Sequence, residues 1–239
     1  RVYRGYGKAD AEQPLRYGPN IKDWPEMYPM QENMLVELAA VIHDPVTTTD
    51  ELIPSGETSS YRSNPLRLSE FALSRRVPEY VGRSKEIQQL DRDRRAGKAS
   101  DHILAALKQV GASVETTSFG SCVFANKPGD GSAREQAASC QRVLGAGANI
   151  VNEYATKRYR SNLINWGMLP FQLNGAAPFG LGDYILIPHV REALKGDLQN
   201  IPAYVLGEEV KPFALYMAPL TSDEREILAD GCLINYYKH

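Results

Sequence analysis

The stretch that decides the fold is Lys127-Pro128-Gly129-Asp130-Gly131-Ser132-Ala133-Arg134-Glu135-Gln136-Ala137-Ala138. A strand candidate at residues 122–125 precedes it, and a run of helix-forming residues follows its glycines. This order predicts a strand-to-helix turn that carries Ser132, where exposed N–H groups and the positive helix end favour an anion. The spacing is neither a Walker loop nor Gly-x-Ser-x-Gly. On spacing alone, a plain N-cap role for Ser132 is the stronger alternative.

Helical and extended patterns alternate around this turn. Apolar positions that recur at three and four predict helices, and short apolar runs between turn residues predict strands. The predicted helices span 31–43, 65–76, 101–110, 133–144, 156–166 and 222–230, with a solvated helix or linker over 84–97. The predicted strands lie near 122–125, 149–151, 168–173, 183–187, 203–206 and 212–218. The pattern indicates an α/β or α+β fold with mixed pairing, because the later strands follow one another closely.

The composition excludes several classes of protein. The chain has 239 residues, a formal net charge of −2 and 43% hydrophobic residues, which excludes disorder along the whole chain. No apolar run approaches the ~20 residues that span a bilayer, and no strong basic excess favours nucleic acid. The three cysteines have no CxxC spacing, so neither a disulfide, a zinc site nor an iron–sulfur site is expected on this chain. Reduced thiols favour a cytoplasmic protein.

The first thirty residues differ in character from the rest. Proline and glycine are dense there, which predicts an extended lead segment or linker over 1–30 and a folded domain over 31–239. The start Arg1-Val2-Tyr3-Arg4, without Met or a secretory core, predicts a portion cut from a longer protein.

Three polar side chains could act together in anion chemistry. Arg134 falls on the first turn of a predicted helix, where the dipole opposes a cation, so an anionic ligand would explain its position. The hydroxyl-rich loop at 46–63 supplies Asp50 and Arg62. The four histidines have no metal-ligand spacing and are interpreted as structural or surface residues.

Four motifs, in order along the chain, resemble the C-terminal swivelling domain of the aconitase superfamily. Residues 131–138 (GSAREQAA) are similar to G-S-S-R-E-H-A, and residues 48–62 (TTDELIPSGETSSYR) are similar to the T-T-D-H-I-x-x-x-G loop. Residues 154–170 (YATKRYRSNLINWGMLP) look like F-A-R-I-H-x-x-N-L…G-L-L-P, and residues 231–236 (GCLINY) resemble the ending of the family.

The resemblance implies a three-layer β/β/α swivelling domain with a mixed sheet and flanking helices. It also implies a hydro-lyase that dehydrates and rehydrates a hydroxy di- or tricarboxylic acid with a four-iron four-sulfur cluster carried by other domains or another subunit. The residues that the resemblance assigns have three roles. They are Ser132 as the catalytic base, Arg62, Arg134, Gly131 and Ala133 as substrate-binding residues, and Asp50 and Thr49 as supporting residues.

Three departures from the family pattern bear on the substrate. The second serine of the family is Ala133 here, the following histidine is Gln136, and the histidine after T-T-D is Glu51. They favour a divergent hydratase over aconitase itself. Two alternatives stay open: a separate small subunit like that of isopropylmalate isomerase, and a non-catalytic RNA-binding regulator derived from an aconitase. The partners expected are cluster-bearing domains or a large subunit and a small carboxylic acid, without a membrane.

Overall fold

The computed structural model describes residues 5–14 and 16–238. The strands are β1 (Asn33–Ile42), β2 (Thr47–Thr48), β3 (Thr117–Ala125), β4 (Pro128–Asp130), β5 (Ala146–Val151), β6 (Leu169–Gln172), β7 (Tyr184–Ile187), β8 (Ile201–Leu206) and β9 (Lys211–Leu215). The helices are α1 (Thr49–Leu52), α2 (Pro65–Ser69), α3 (Tyr80–Arg95), α4 (Asp101–Gln109), α5 (Arg134–Val143), α6 (Lys157–Asn165), α7 (Val190–Ala193), α8 (Ser222–Asp230) and α9 (Leu233–Tyr236). A 3-10 turn covers Ser59–Tyr61.

A seven-stranded sheet in the order β6-β5-β3-β1-β7-β8-β9 organises the described chain. Its first four strands are parallel, and β1, β7, β8 and β9 pair antiparallel. Helices α5 and α6 connect the successive parallel strands β3, β5 and β6, as parallel connections require. The predicted α/β fold with a mixed sheet and flanking helices is confirmed.

Strand β1 corrects the helix predicted over 31–43. Every residue of β1 is buried except Glu37 and Val41, which are partly buried. Met34, Val36 and Leu38 pack into the core on one face of the sheet, whereas Ala40 and Ile42 pack into the core on the other. A strand covered on both faces has no polar side. An irregularity in the pairing of β1 with β3, between Leu38 and Ala40, also shifts the alternation of its side chains between the two faces. Its apolar positions therefore imitate a helical period.

Most of the other predicted elements are present. The helices over 101–110, 133–144, 156–166 and 222–230 and the six predicted strands are confirmed within a few residues. The helix predicted over 65–76 ends at Ser69 and is followed by turns, within which Leu73 has a positive φ of 53°. The charged stretch 84–97 is helical and belongs to α3, which buries Tyr80, Ser84 and Ile87. No helix in the described ranges is long and apolar enough to cross a membrane.

The lead segment contains neither a helix nor a strand in its described part. Met30 is buried, and its N–H donates to the carbonyl of Ala229 at the end of α8. The Trp24 ring lies 4.3 Å from that of Trp166, at the end of α6. Residues 24–30 therefore lie across these helix ends. The start at residues 1–4 lies outside the described residues, and the boundary at residue 30 stays a prediction.

Candidate active site

A short parallel pairing brings two of the motifs together. Strand β2, which opens the T-T-D motif, pairs with β4, which precedes Ser132, through Thr47 with Pro128 and Thr48 with Asp130. The N–H of Thr47 also donates to the carbonyl of Lys127 at 3.0 Å. Because β2 follows β1 and β4 follows β3, the site lies beyond the carboxyl ends of the two central parallel strands. Such edges are the usual ligand sites of α/β sheets.

Gly131 fits closely against Thr49. Its φ is +135°, a conformation that side chains rarely adopt, and a Cβ at this position would lie 2.1 Å from the Thr49 Oγ1. Thr49 itself is buried. Only glycine allows the two loops to approach this closely.

Ser132 lies on the exposed bend between β4 and α5. The N-cap of α5 is Ala133, with φ −80° and ψ 41° and no side-chain hydrogen bond to the helix. The plain N-cap interpretation of Ser132 is therefore wrong. The Ser132 hydroxyl is left exposed beside the first turn of a ten-residue helix, whose N–H groups have no partner within the helix.

Arg134 begins α5 and is partly exposed. Its Nε is buried without a hydrogen-bond partner among the described residues. Arg160, whose Nε is equally unpartnered, instead donates through its terminal nitrogen to two backbone carbonyls at 2.8 and 3.0 Å. Arg134 has no comparable bond and no ion pair within the described part of the chain. A guanidinium in this position has its donors available to an anion.

Asp50 and Glu51 lie in α1 but have different partners. Glu51 closes a capping box, because its carboxylate accepts from the N–H and the hydroxyl of Thr48 at 2.7 and 2.9 Å. Asp50 is exposed and pairs with Arg75. Arg75 also pairs with Glu57, and this hydrogen bond, with the charge of Asp50, raises the pKa of Arg75. Sequence reasoning missed Arg75, because no motif marks it.

Arg62 is not joined to the site by a contact of its side chain. It follows the 3-10 turn and is exposed, and no hydrogen bond or ion pair links its guanidinium to other described residues. The neighbouring Tyr61 stacks on Phe71 at 5.7 Å, and the Arg67 guanidinium lies 5.4 Å from the Tyr61 ring. These contacts fix the turn from which Arg62 projects.

Residues of the motif at 154–163 contact Gly129, just before the Ser132 turn. The Tyr159 ring packs against Gly129, where a Cβ would lie 2.5 Å from the ring. Thr156 donates to the carbonyl of Gly129 at 3.1 Å and caps α6. The Tyr159 hydroxyl donates to Asn149 at 2.8 Å and accepts from Gln141 at 2.9 Å. Burial raises the pKa of Tyr159, so the hydroxyl stays protonated in this network.

The cysteines do not form a cluster-binding site. Cys122, Cys140 and Cys232 are free and buried. Burial raises the pKa of the Cys122 and Cys140 thiols, which disfavours the thiolate that a metal requires. Among residues 5–14 and 16–238, no group of three or more His, Cys, Asp or Glu side chains could hold a metal ion. The residues present do not fit an iron–sulfur cluster.

Comparison with known proteins agrees with these motifs. Residues 101–176 match the family model described as the aconitase C-terminal domain. The resemblance to this domain is confirmed over these residues. The matched part contains Ser132, Arg134 and the motif at 154–163, whereas the T-T-D loop and the ending at 231–236 lie outside it.

Among solved structures, the chain is similar to a 3-isopropylmalate dehydratase from Methanocaldococcus jannaschii. The two share 20% identity with a TM-score of 0.49, over 83% of this chain and 91% of that chain. The search of curated proteins found no match.

Proposed function

We propose that this chain is the swivelling, substrate-clamping part of an iron–sulfur-dependent hydro-lyase of the aconitase type, acting on a hydroxy di- or tricarboxylic acid in the cytoplasm. The observation that carries the proposal is the pairing of β2 with β4. It sets Thr49 against Gly131, next to Ser132 and in front of a helix whose first residue, Arg134, has no side-chain partner among the described residues.

In this proposal Ser132 is the base that removes a proton from the carbon next to a substrate carboxylate. A serine hydroxyl is a weak base unless its alkoxide is stabilised. The unpaired N–H groups of the first turn of α5, the positive end of the helix and the Arg134 cation all favour the negative form. The exposed hydroxyl has no competing role as a helix cap.

Substrate carboxylates would be held by Arg134 and Arg62, each through a planar pair of donors. Gly131 and Ala133 would line the same surface with backbone N–H groups, and Thr49 and Asp50 would hold the loop that carries it. Arg134 lies at the start of α5, whereas Arg62 follows the 3-10 turn. Substrate binding would therefore draw the exposed Arg62 turn towards α5.

The four-iron four-sulfur cluster would be carried outside this chain, on N-terminal domains of the same protein or on a large subunit. The described cysteines are buried and do not converge. The chain by itself is then expected to be inactive. A separate small subunit of a two-chain enzyme, like that of isopropylmalate isomerase, is the alternative arrangement of the same chemistry.

The test is reconstitution of the full-length parent, or of this chain with a cluster-bearing partner, with iron and sulfide under anaerobic conditions. Hydroxy di- and tricarboxylic acids are then screened by the absorbance of the unsaturated product. Ser132→Ala should lower kcat by about 10²–10⁴-fold with little change in KM, because the base acts mainly in the transition state. Ser161→Ala, a hydroxyl on α6 that donates only to its own helix, is the control.

Each outcome of this test bears on the proposal. Near-normal turnover of the Ser132→Ala enzyme would contradict the assignment of the base. A bound cluster with no turnover on any acid would instead favour a divergent substrate or the non-catalytic regulator, to which the Ala133 and Gln136 departures point.

A further inference from the structure

A cavity of about 240 Å³ lies at the edge of the sheet opposite the Ser132 turn. Met34, Ser118 and Gly147, which line it, stand near the amino ends of the parallel strands β1, β3 and β5. Its outer wall consists of residues 25–31, the end of the lead segment with the adjoining Gln31, and these residues are called the strap below. The cavity is therefore separate from the candidate active site, which lies beyond the carboxyl ends of β1 and β3.

Arg94, Arg95 and Arg142 line the cavity. Arg94 and Arg95 both pair with Asp91 at 3.0 Å, and Asp91 also accepts from the N–H of Phe119 at 3.1 Å. The Arg95 guanidinium lies 3.7 Å from the centre of the Tyr28 ring in the strap. Both oxygens of the Asp91 carboxylate are thus occupied by these neighbours.

Arg142 has no carboxylate partner among the described residues. Its terminal nitrogens donate to the carbonyls of Ala146 and Gly231 at 3.1 and 3.0 Å, and its Nε is buried without a partner. The charge of Asp91 reaches Arg142, but that carboxylate is already paired with Arg94 and Arg95, and a buried guanidinium without an ion pair of its own is unfavourable. Burial also lowers the pKa of Arg142. An anion in the cavity that Arg142 lines would supply the missing negative charge.

The remaining walls combine the polar side chains of Gln31, Gln88 and Ser118 with a group of apolar ones. The apolar side chains include Met27, Met30, Met34, Phe119 and Leu228, while Glu26, whose carboxylate accepts from the Tyr28 hydroxyl at 2.9 Å, is the other acidic lining residue. Cationic and apolar walls together suit an amphipathic ligand, and the volume is below that of sites for drug-sized molecules.

We propose that this cavity binds a small organic oxyanion, with its charged group on Arg142 and Arg95 and its apolar body against Met30, Met34 and Phe119. Such a ligand would connect the strap to α3 and α5. The strap is otherwise held by few polar bonds: the Met30 N–H donates to the carbonyl of Ala229, and Asn235 and Arg191 donate to strap carbonyls. Ligand binding would therefore fasten the lead segment to the domain, independently of the function proposed for Ser132.

The methionines allow a direct test. Of the five in the chain, Met27, Met30 and Met34 line the cavity, whereas Met168 and Met217 are buried elsewhere. The full chain, labelled with ¹³C-methyl methionine, is titrated with phenyl phosphate, benzoate and inorganic phosphate at constant ionic strength. Saturable shifts confined to Met27, Met30 and Met34 are expected with phenyl phosphate or benzoate, and the stronger of these two identifies the oxyanion.

Arg142→Gln should weaken this binding by about tenfold to a hundredfold, the loss of a charged hydrogen-bond partner. Unchanged Met168 and Met217 signals would show that the variant is folded; if it is not, Arg95→Gln takes its place. The charge-matched control is Arg92→Gln, because Arg92 lies on α3 with Arg95 but does not line the cavity. No saturable shift at millimolar probe, equal shifts of all five methyl groups, or equal weakening by Arg92→Gln would overturn the proposal.

Discussion

The contact between Gly131 and Thr49 gives the sharpest test of how the two loops of the candidate active site are assembled. In Gly131→Ala, the new Cβ would lie 2.1 Å from the Thr49 Oγ1, so one of the loops must move. The backbone would also hold an alanine at φ +135°. We therefore expect the substitution to destabilise the chain in two separable ways.

Both contributions have a known scale. Holding a non-glycine residue in a sparsely populated backbone region costs about 1–3 kcal/mol, and overpacking a buried contact costs about 1–3 kcal/mol more. The expected loss in the free energy of unfolding is thus about 2–6 kcal/mol. Gly175 has a φ of +78° with nothing within 4 Å of its missing Cβ. Gly175→Ala should therefore lose only about 1–2 kcal/mol.

Urea denaturation of four proteins separates the contributions: Gly131→Ala, Thr49→Ala, the double variant and Gly175→Ala. Thr49→Ala removes the Oγ1, so the two substitutions should couple favourably by about 1–3 kcal/mol in the double variant. Two results would contradict the proposed contact: a loss of unfolding free energy in Gly131→Ala no larger than in Gly175→Ala, or losses of Gly131→Ala and Thr49→Ala that simply add in the double variant.

Three further predictions concern the Tyr159 hydrogen bonds beneath the Ser132 turn, Glu37 in strand β1 and the proposed substrate contact of Arg62. Tyr159→Phe leaves the buried amide of Asn149 without its 2.8 Å donor and should lose about 1–3 kcal/mol of unfolding free energy in urea, whereas Tyr237→Phe, which is exposed, should lose almost nothing. Burial raises the pKa of Glu37, so its charged form weakens the fold as the pH rises above about 4.5. Glu37→Gln should therefore stabilise the chain at pH 7 but not at pH 4, and an equal effect at both pH values would contradict this. Arg62→Lys should raise the KM of the reconstituted enzyme because a point charge cannot replace a planar fork, and an unchanged KM would argue against the clamp.

The helices that the sequence predicted correctly are those with one buried face. Helix α4 buries Ile103 and Leu107 and exposes its other side, so its period is visible in the sequence. Strand β1 has no exposed face, and the same periodicity rule therefore assigned it wrongly. A helical period is visible only when one side of the helix meets water, whereas buried strands such as β5 were predicted from short apolar runs between turns.

The candidate site shows the same division between local and non-local information. The strand-to-helix turn at Ser132 was predictable because glycines and a helical run are adjacent in sequence. The ion pair between Asp50 and Arg75 was not, because it depends on how the chain returns after α2. The register of β2 on β4 was likewise beyond any local rule, since each strand has at most three residues.

The departures from the family motifs have different physical meanings. Glu51 stands where the family has a histidine. Its carboxylate accepts from both Thr48 donors, so this residue stabilises the start of α1 through a capping box. Ala133 stands at the N-cap of α5, where a serine would supply a hydroxyl to the helix. With alanine there, the first N–H groups of α5 stay available beside Arg134. Recognition of a substrate carboxylate would then shift from a side-chain hydroxyl to the backbone and the guanidinium, which makes Ala133 the departure that bears most directly on the substrate.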